Sequence, residues 1–115
     1  DAAGGNGLVN LPFHFAIDDA MFFSMSWMRS DTMEQRISDP DRVLDMWWAG
    51  FRQQHDAGGY FNICLHPFVS GRALRIDMLD RLIARMKELP GVWFASCEDV
   101  ARHCLAQHPP RRGQF

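Results

Sequence analysis

Long apolar runs are missing from this sequence, and so is any sustained stretch of one charge sign. No apolar segment approaches the roughly 20 residues that span a bilayer, so no membrane helix is expected. No basic-then-apolar leader precedes a cleavage site either, and the expectation is a soluble, cytoplasmic protein. The net charge is only −2 and the basic residues are scattered. Their one cluster, Arg111-Arg112, is too short for an electrostatic footprint, so nucleic acid is not an expected partner. Cysteine is scarce and odd in number. Cys64, Cys97 and Cys104 form no C-x-x-C pair, and small buried hydrophobes explain them better than a thiol nucleophile does. Low-complexity tracts are lacking as well.

What is abundant is aromatic. Four tryptophans and nine phenylalanines are many for 115 residues, enough to supply a core, an interface or the lining of a pocket. That length allows one domain at most, and a small one for an α/β architecture.

The stretch Phe61 to Arg72, FNICLHPFVSGR, organises the rest. Phe61-Asn62-Ile63-Cys64-Leu65 is a short apolar run of the kind that forms a buried strand. His66 follows and is itself followed by Pro67, which fixes its own φ and pushes the preceding residue into extended geometry. His66 is therefore expected at the strand's end, with Ser70-Gly71 making a turn and an amphipathic helix leading away. A histidine on such a rim is where α/β enzymes collect their chemistry. It is also where a half-buried ring hydrogen-bonds a loop and nothing more.

Upstream, Leu8 to Phe15 is an apolar run that Pro12 should break or bulge. Asp18-Asp19 lies just past it, and Ala20 to Met28 is apolar on all sides, as in a short buried helix or packed loop. Arg29 to Ile37 reads as loop. Ser38-Asp39-Pro40-Asp41 opens a helix with capping side chains, a first-turn proline and early negative charge. Val43, Leu44, Trp47, Trp48 and Phe51 share one stripe of it, and Gly58-Gly59 should stop it. The helix after the organising strand is expected from about Leu74 to Leu89, with Leu79, Leu82, Ile83 and Met86 inward. Val92 to Ala95 reads as a third strand. Ser96 and Asp99 then cap a last helix that ends before Pro109-Pro110.

Alternation of this kind calls for parallel strands covered by helices. Three strands leave both edges of a parallel sheet open, so the pattern reads as a piece of a larger sheet or barrel. Residues 1–7 and 109–115 are expected to be flexible ends.

The segments I-D-D-A-x-F-F, C-L-H-P-F-x-S-G-R and G-V-W-F-A-S-C-E-D-V-A together resemble the C-terminal half of the polysaccharide deacetylase family, the NodB-homology domain. The likeness runs from about Leu8 to His103 and is nearest to the peptidoglycan-deacetylase-like and allantoinase-like branches. The resemblance implies an α/β fold: the C-terminal portion, about three strands and four helices, of a distorted (β/α)7-type barrel. It implies hydrolysis of a non-peptide amide C–N bond, in N-acetylated sugars or, alternatively, in a cyclic amide or ureide. It places the family's zinc or other divalent ion, held by an aspartate and two histidines, in the half that is not in this sequence. No metal ligand or cofactor is therefore expected here, and this chain alone should be inactive.

By the same resemblance His66 is the general acid that protonates the departing amine. Imidazole suits that work because its unperturbed pKa lies near neutrality. Asp18 or Asp19 is the acidic residue that pairs with an arginine or orients substrate, unless the pair merely caps a helix before Ala20. Leu65 and Phe68 flank the histidine as candidate pocket wall. Expected partners are the N-terminal half of the barrel and a small-molecule or oligosaccharide substrate. A homo-oligomer is also expected, through Trp47, Trp48 and the segment Met21 to Met28. A non-catalytic oligomerising module is the reading from outside the enzyme class. His14 is expected to pack or hydrogen-bond, and His55, His103 and His108 to lie on the surface.

Overall fold

The computed structural model describes residues 9–23 and 38–109. The ends expected to be flexible, apart from Pro109, lie outside the described residues, as do the part of the Met/Phe-rich segment after Phe23 and the expected loop up to Ile37. The chain divides into two compact units, one running from Phe13 to Val92 and one combining residues 1–12 with 93–115.

The first unit is built on two long helices. A 3-10 turn at Phe15–Ile17 leads into α1 (Ala20–Phe23), α2 (Pro40–Asp56), α3 (Pro67–Ser70) and α4 (Ala73–Lys87). Helix α2 starts where its capping residues place it. Asp39 is extended, its carboxylate accepts the Asp41 N–H at 3.0 Å, and Pro40 occupies the first turn. It ends at Asp56, and Gly58 beyond it takes a φ of 64°, the left-handed geometry that glycine tolerates. Val43, Leu44, Trp47 and Phe51 are buried on one face of α2, with Trp48 packed at its margin. They meet Met78, Leu82 and Met86 of α4, and Phe23 and Val69 join the same cluster. Each such side chain contributes about 1.5–3 kcal/mol by leaving water. The Trp47 indole N–H donates to the Ala16 carbonyl at 2.8 Å, tying the 3-10 turn to α2.

Of the four positions expected inward on α4, Leu82 and Met86 are buried and Leu79 and Ile83 are not. Met78, Leu82 and Met86, at spacing four, are buried, whereas Leu79 is only partly covered and Ile83 is 37% exposed. Both stripes are apolar, and α2 decides which one faces the core. Arg81 on the outer side bonds Asp77 at 2.9 Å and reaches Asp41 on α2 at 2.6 Å.

The expected sheet is not there. Among the described residues none lies in a strand, and the α/β barrel portion with three strands gives way to a helical architecture. What survives is a single parallel bridge between Asp18 and Cys64. The Cys64 N–H donates to Ile17 at 2.9 Å, and the Asp19 N–H donates to Cys64 at 3.1 Å. The physical reason lies in the first run. His14 caps the 3-10 turn, its Nδ1 accepting the Ala16 N–H at 3.0 Å, and the turn uses up Phe15–Ile17. Only Asp18 is then left extended before α1 begins. A ladder needs consecutive partners. Here one residue pairs, and Val92 to Ala95 joins no strand.

In the second unit, α5 (Cys97–Gln107) follows Ser96, whose hydroxyl accepts the Asp99 N–H at 3.1 Å and donates to the Asp99 carboxylate at 2.6 Å. The Trp93 ring lies edge-on to His103 at 5.6 Å, and no side chain of α5 is fully buried.

Candidate functional site: a buried carboxylate and a half-exposed imidazole

The parallel bridge delivers two side chains to one place. Pairing at Cys64 sets His66 two residues on, extended at φ −110° and ψ 123° as the proline after it requires. On the opposite segment Asp19 follows the paired Asp18 and is completely buried, whereas the His66 side chain remains 25% exposed.

Three donors converge on the Asp19 carboxylate. His66 Nδ1 lies 2.7 Å from Oδ1, the His66 backbone N–H donates to Oδ2 at 2.9 Å, and the Ser70 hydroxyl donates to Oδ2 at 2.6 Å. An ionised carboxylate has only acceptors to offer, so Nδ1 carries the proton in that contact and the tautomer of His66 is set by Asp19. Among the described residues no buried side-chain nitrogen or oxygen lacks a hydrogen-bond partner. The buried charge is thus compensated in the way a buried charge must be.

The two aspartates have separate tasks. Asp18 Oδ1 accepts the Ala20 N–H at 2.8 Å, the capping role, and stands 4.0 Å from His66 Nδ1. Asp19 holds the histidine. Neither makes an ion pair with an arginine among the described residues. Arg72 donates to the Phe68 carbonyl at 3.4 Å instead.

Asp18, Cys64 and His66 bring one donor atom each within 4.8 Å of one another. They do not fit a metal centre. Asp18 Oδ1 already accepts a backbone N–H, and His66 Nδ1 is gripped by Asp19. The Cys64 thiol is pushed up from its ordinary range by burial first, then by the Asp18 charge and its hydrogen bond to that carboxylate, and by Asp19. A metal ligand must lose the thiol proton, and burial and the neighbouring carboxylates work against the loss. Among the described residues, one aspartate and two histidines are not brought together as the family's metal set would require.

Leu65 and Phe68 flank the imidazole and are 38% and 55% exposed. The Phe68 ring stands edge-on to His66 at 5.6 Å. A separate groove of about 410 Å³, lined by Phe22, Ser38, Asp39, Arg42, Val43 and Met46, contains none of the residues around His66. Its chemistry is that of a helix start and an apolar margin, so the site is placed at the imidazole and not at this groove. The remaining histidines lie elsewhere. His14 hydrogen-bonds its own turn, His103 and His108 are exposed, and His55 is half-buried with Nε2 2.9 Å from the Pro90 carbonyl.

Sequence reasoning missed Ser70, taken there as part of a turn. Its signal was the spacing: four residues after His66 across Pro67, one helical turn brings the serine back beneath the histidine.

A partly exposed imidazole whose Nδ1 is held by a buried carboxylate has the chemistry that proton transfer requires. The chain is similar to the crystal structure of a putative polysaccharide deacetylase from Mycobacterium smegmatis, with 32% identity and a TM-score of 0.78. The match covers 90% of this chain and 36% of that one, so the chain spans about a third of its neighbour's length. The family resemblance read from the three sequence segments agrees with this likeness. No family model matches the chain, and no curated protein does.

Proposed function

We propose that this chain supplies the proton-donating side of a deacetylase-like hydrolase that cleaves a non-peptide amide C–N bond in N-acetylated sugars. His66 is the general acid and Asp19 its orienting carboxylate. The observation that carries the reading is the grip of fully buried Asp19 on Nδ1 at 2.7 Å.

With Nδ1–H engaged by Asp19, the proton for transfer is the one on Nε2 of the imidazolium. In the tetrahedral intermediate the C–N bond breaks, its electron pair moves to nitrogen, and the Nε2 proton goes to that nitrogen. Acetate and a free amine leave, and His66 remains as the neutral ring with Nδ1–H still facing Asp19. The carboxylate thereby stabilises the charged ring before transfer and fixes the ring plane throughout. Phe68 and Leu65 offer apolar surface beside the reacting group, suited to the acetyl methyl or a sugar face.

The water-activating base, and any divalent ion, which would polarise the amide carbonyl, belong on this reading to the remainder of a longer protein. That remainder is the proposed partner of the exposed apolar side chains Phe13, Phe15, Phe68 and Leu74, which are unusual on a free surface in such number.

The test uses the full-length protein with His66→Ala and two substrates, an N-acetylglucosamine oligomer and p-nitrophenyl acetate. The amide needs its leaving group protonated and the ester does not. Turnover of the oligomer should fall about 10²- to 10⁴-fold while the ester changes little. Full oligomer turnover by the variant refutes the assignment. Turnover of allantoin in place of the oligomer moves the substrate to the cyclic ureides. The 115-residue chain by itself should turn over none of them.

A further inference from the structure

We propose that Ser70 is a positioning residue: its buried hydroxyl locks the Asp19 carboxylate in the orientation that grips Nδ1 of His66, and so sets the tautomer of the ring. The inference rests on the proton-transfer reading of His66 and extends it to a third residue.

Ser70 is 2% exposed and donates to Asp19 Oδ2 at 2.6 Å, among the shorter contacts in the site. Its backbone needs nothing from that hydroxyl, because its N–H already donates to the His66 carbonyl at 3.0 Å. The side chain's polar bond is therefore spent on Asp19 alone. Oδ1 faces His66 Nδ1, while Oδ2 is pinned by the His66 backbone N–H and by Ser70. Without the serine, one donor at 2.9 Å holds Oδ2, and the carboxylate gains freedom to turn about its terminal torsion.

The local fold is arranged to bring this hydroxyl home. Helix α3 is a single turn beginning at Pro67, and Gly71 closes it with its N–H on the Pro67 carbonyl at 3.0 Å. A Cβ on Gly71 would lie 2.3 Å from that carbonyl oxygen, so the turn closes this tightly only around glycine. The segment H-P-F-V-S-G thus encodes histidine, turn and serine together.

The experiment is ¹⁵N spectroscopy of the His66 imidazole in the full-length protein, selectively labelled at histidine, comparing wild type with Ser70→Ala and Ser70→Thr. Wild type should show the Nδ1–H tautomer in its neutral form. Ser70→Ala should shift the ring toward the Nε2–H tautomer that free histidine prefers, and Ser70→Thr, which keeps a hydroxyl, should restore the wild-type pattern. Should the alanine variant not fold, Ser70→Cys, of similar size and a weak donor, is read in its place. An unchanged tautomer in Ser70→Ala or Ser70→Cys overturns the proposal, and so does a threonine variant that behaves like alanine. On the N-acetylglucosamine oligomer, kcat should fall roughly tenfold with KM unchanged. A shifted tautomer with unchanged kcat leaves Ser70 its role and removes the acid role from His66, so the two readings fail separately.

Discussion

Asp19→Asn is the sharpest single perturbation of this site, because it changes charge without changing shape. The carboxylate receives three donors: His66 Nδ1–H, the His66 backbone N–H and the Ser70 hydroxyl. An asparagine has one carbonyl oxygen and one NH₂, so one position now points hydrogens at a donor. Placing NH₂ at the Oδ2 position sets it against a backbone N–H that cannot change. Placing it at the Oδ1 position is the cheaper choice, because the imidazole can shed its Nδ1 proton and accept. The variant should therefore carry His66 as the Nε2–H tautomer. Two bonds to Oδ2 lose their charge assistance and the third reverses its direction. At about 1 kcal/mol for each such change, stability should drop by about 2–4 kcal/mol. Asp19→Ala should cost about 3–5 kcal/mol, since the backbone N–H is left buried without an acceptor. Against a total of about 5–15 kcal/mol for a typical domain, the asparagine variant still folds and can be assayed. Urea denaturation of the full-length protein gives the stability, and turnover of the N-acetylglucosamine oligomer gives the activity. A variant within about 0.5 kcal/mol of wild type and equally active would refute the reasoning, because a buried charge-assisted triad cannot be that indifferent.

Gly71→Ala should destabilise by about 1–3 kcal/mol and lower oligomer turnover with it, because relief of the clash with the Pro67 carbonyl displaces Ser70. Thermal denaturation alongside kinetics checks both parts. Cys64 should alkylate slowly near neutrality, its thiol being raised by burial and by Asp18. An adjacent anion disfavours thiolate, so Asp18→Asn, which keeps an acceptor for the Ala20 N–H, should move the iodoacetamide pH profile of Cys64 to lower pH. Peptide mapping separates this cysteine from Cys97 and Cys104. Leu82→Ala, at a position with no exposure, should cost about 2–5 kcal/mol in urea denaturation, the span expected for a core cavity.

How much of this was legible beforehand follows from how local each signal is. Asp39-Pro40 and Gly58 act on their own backbone, and α2 begins and ends where they put it. Ser96 and Asp99 do the same for α5. Pro67 fixes the extended geometry of His66 with no help from elsewhere. Strands are different, because a ladder is a property of two segments. The apolar runs at Leu8 to Phe15, Phe61 to Leu65 and Val92 to Ala95 carried the composition of strands, yet among the described residues only Asp18 and Cys64 pair. The choice between Met78 and Ile83 on α4 was likewise out of reach, for both lie on apolar stripes and the partner helix decides. At the site, His66 and the acidic pair were legible as residue types in sequence order. Which aspartate holds the ring depends on a one-residue register: a slip at the bridge would exchange the tasks of Asp18 and Asp19.

That register is itself held from the core, and the connections can be followed. Asp19 opens α1 with its own carbonyl, which accepts the N–H groups of Phe22 and Phe23 at 3.1 and 3.0 Å, while its side chain turns the other way to His66. Phe23, 3% exposed, anchors α1 in the hydrophobic cluster. On the facing side Val69, 2% exposed, anchors α3 in the same cluster and leaves its neighbour Ser70 beneath Asp19. Arg75 of α4 joins the two supports, donating to the Val69 carbonyl at 2.9 Å and lying 5.5 Å over the Phe23 ring. The carboxylate and the hydroxyl that pins it thus stand on adjacent one-turn helices bolted to one core. A motion that separates Asp19 from Ser70 must first pull Phe23 or Val69 out of that core, at about 1.5–3 kcal/mol each. The imidazole, 25% exposed, is the least buried of the trio, and the two that orient it are the ones the core does not release.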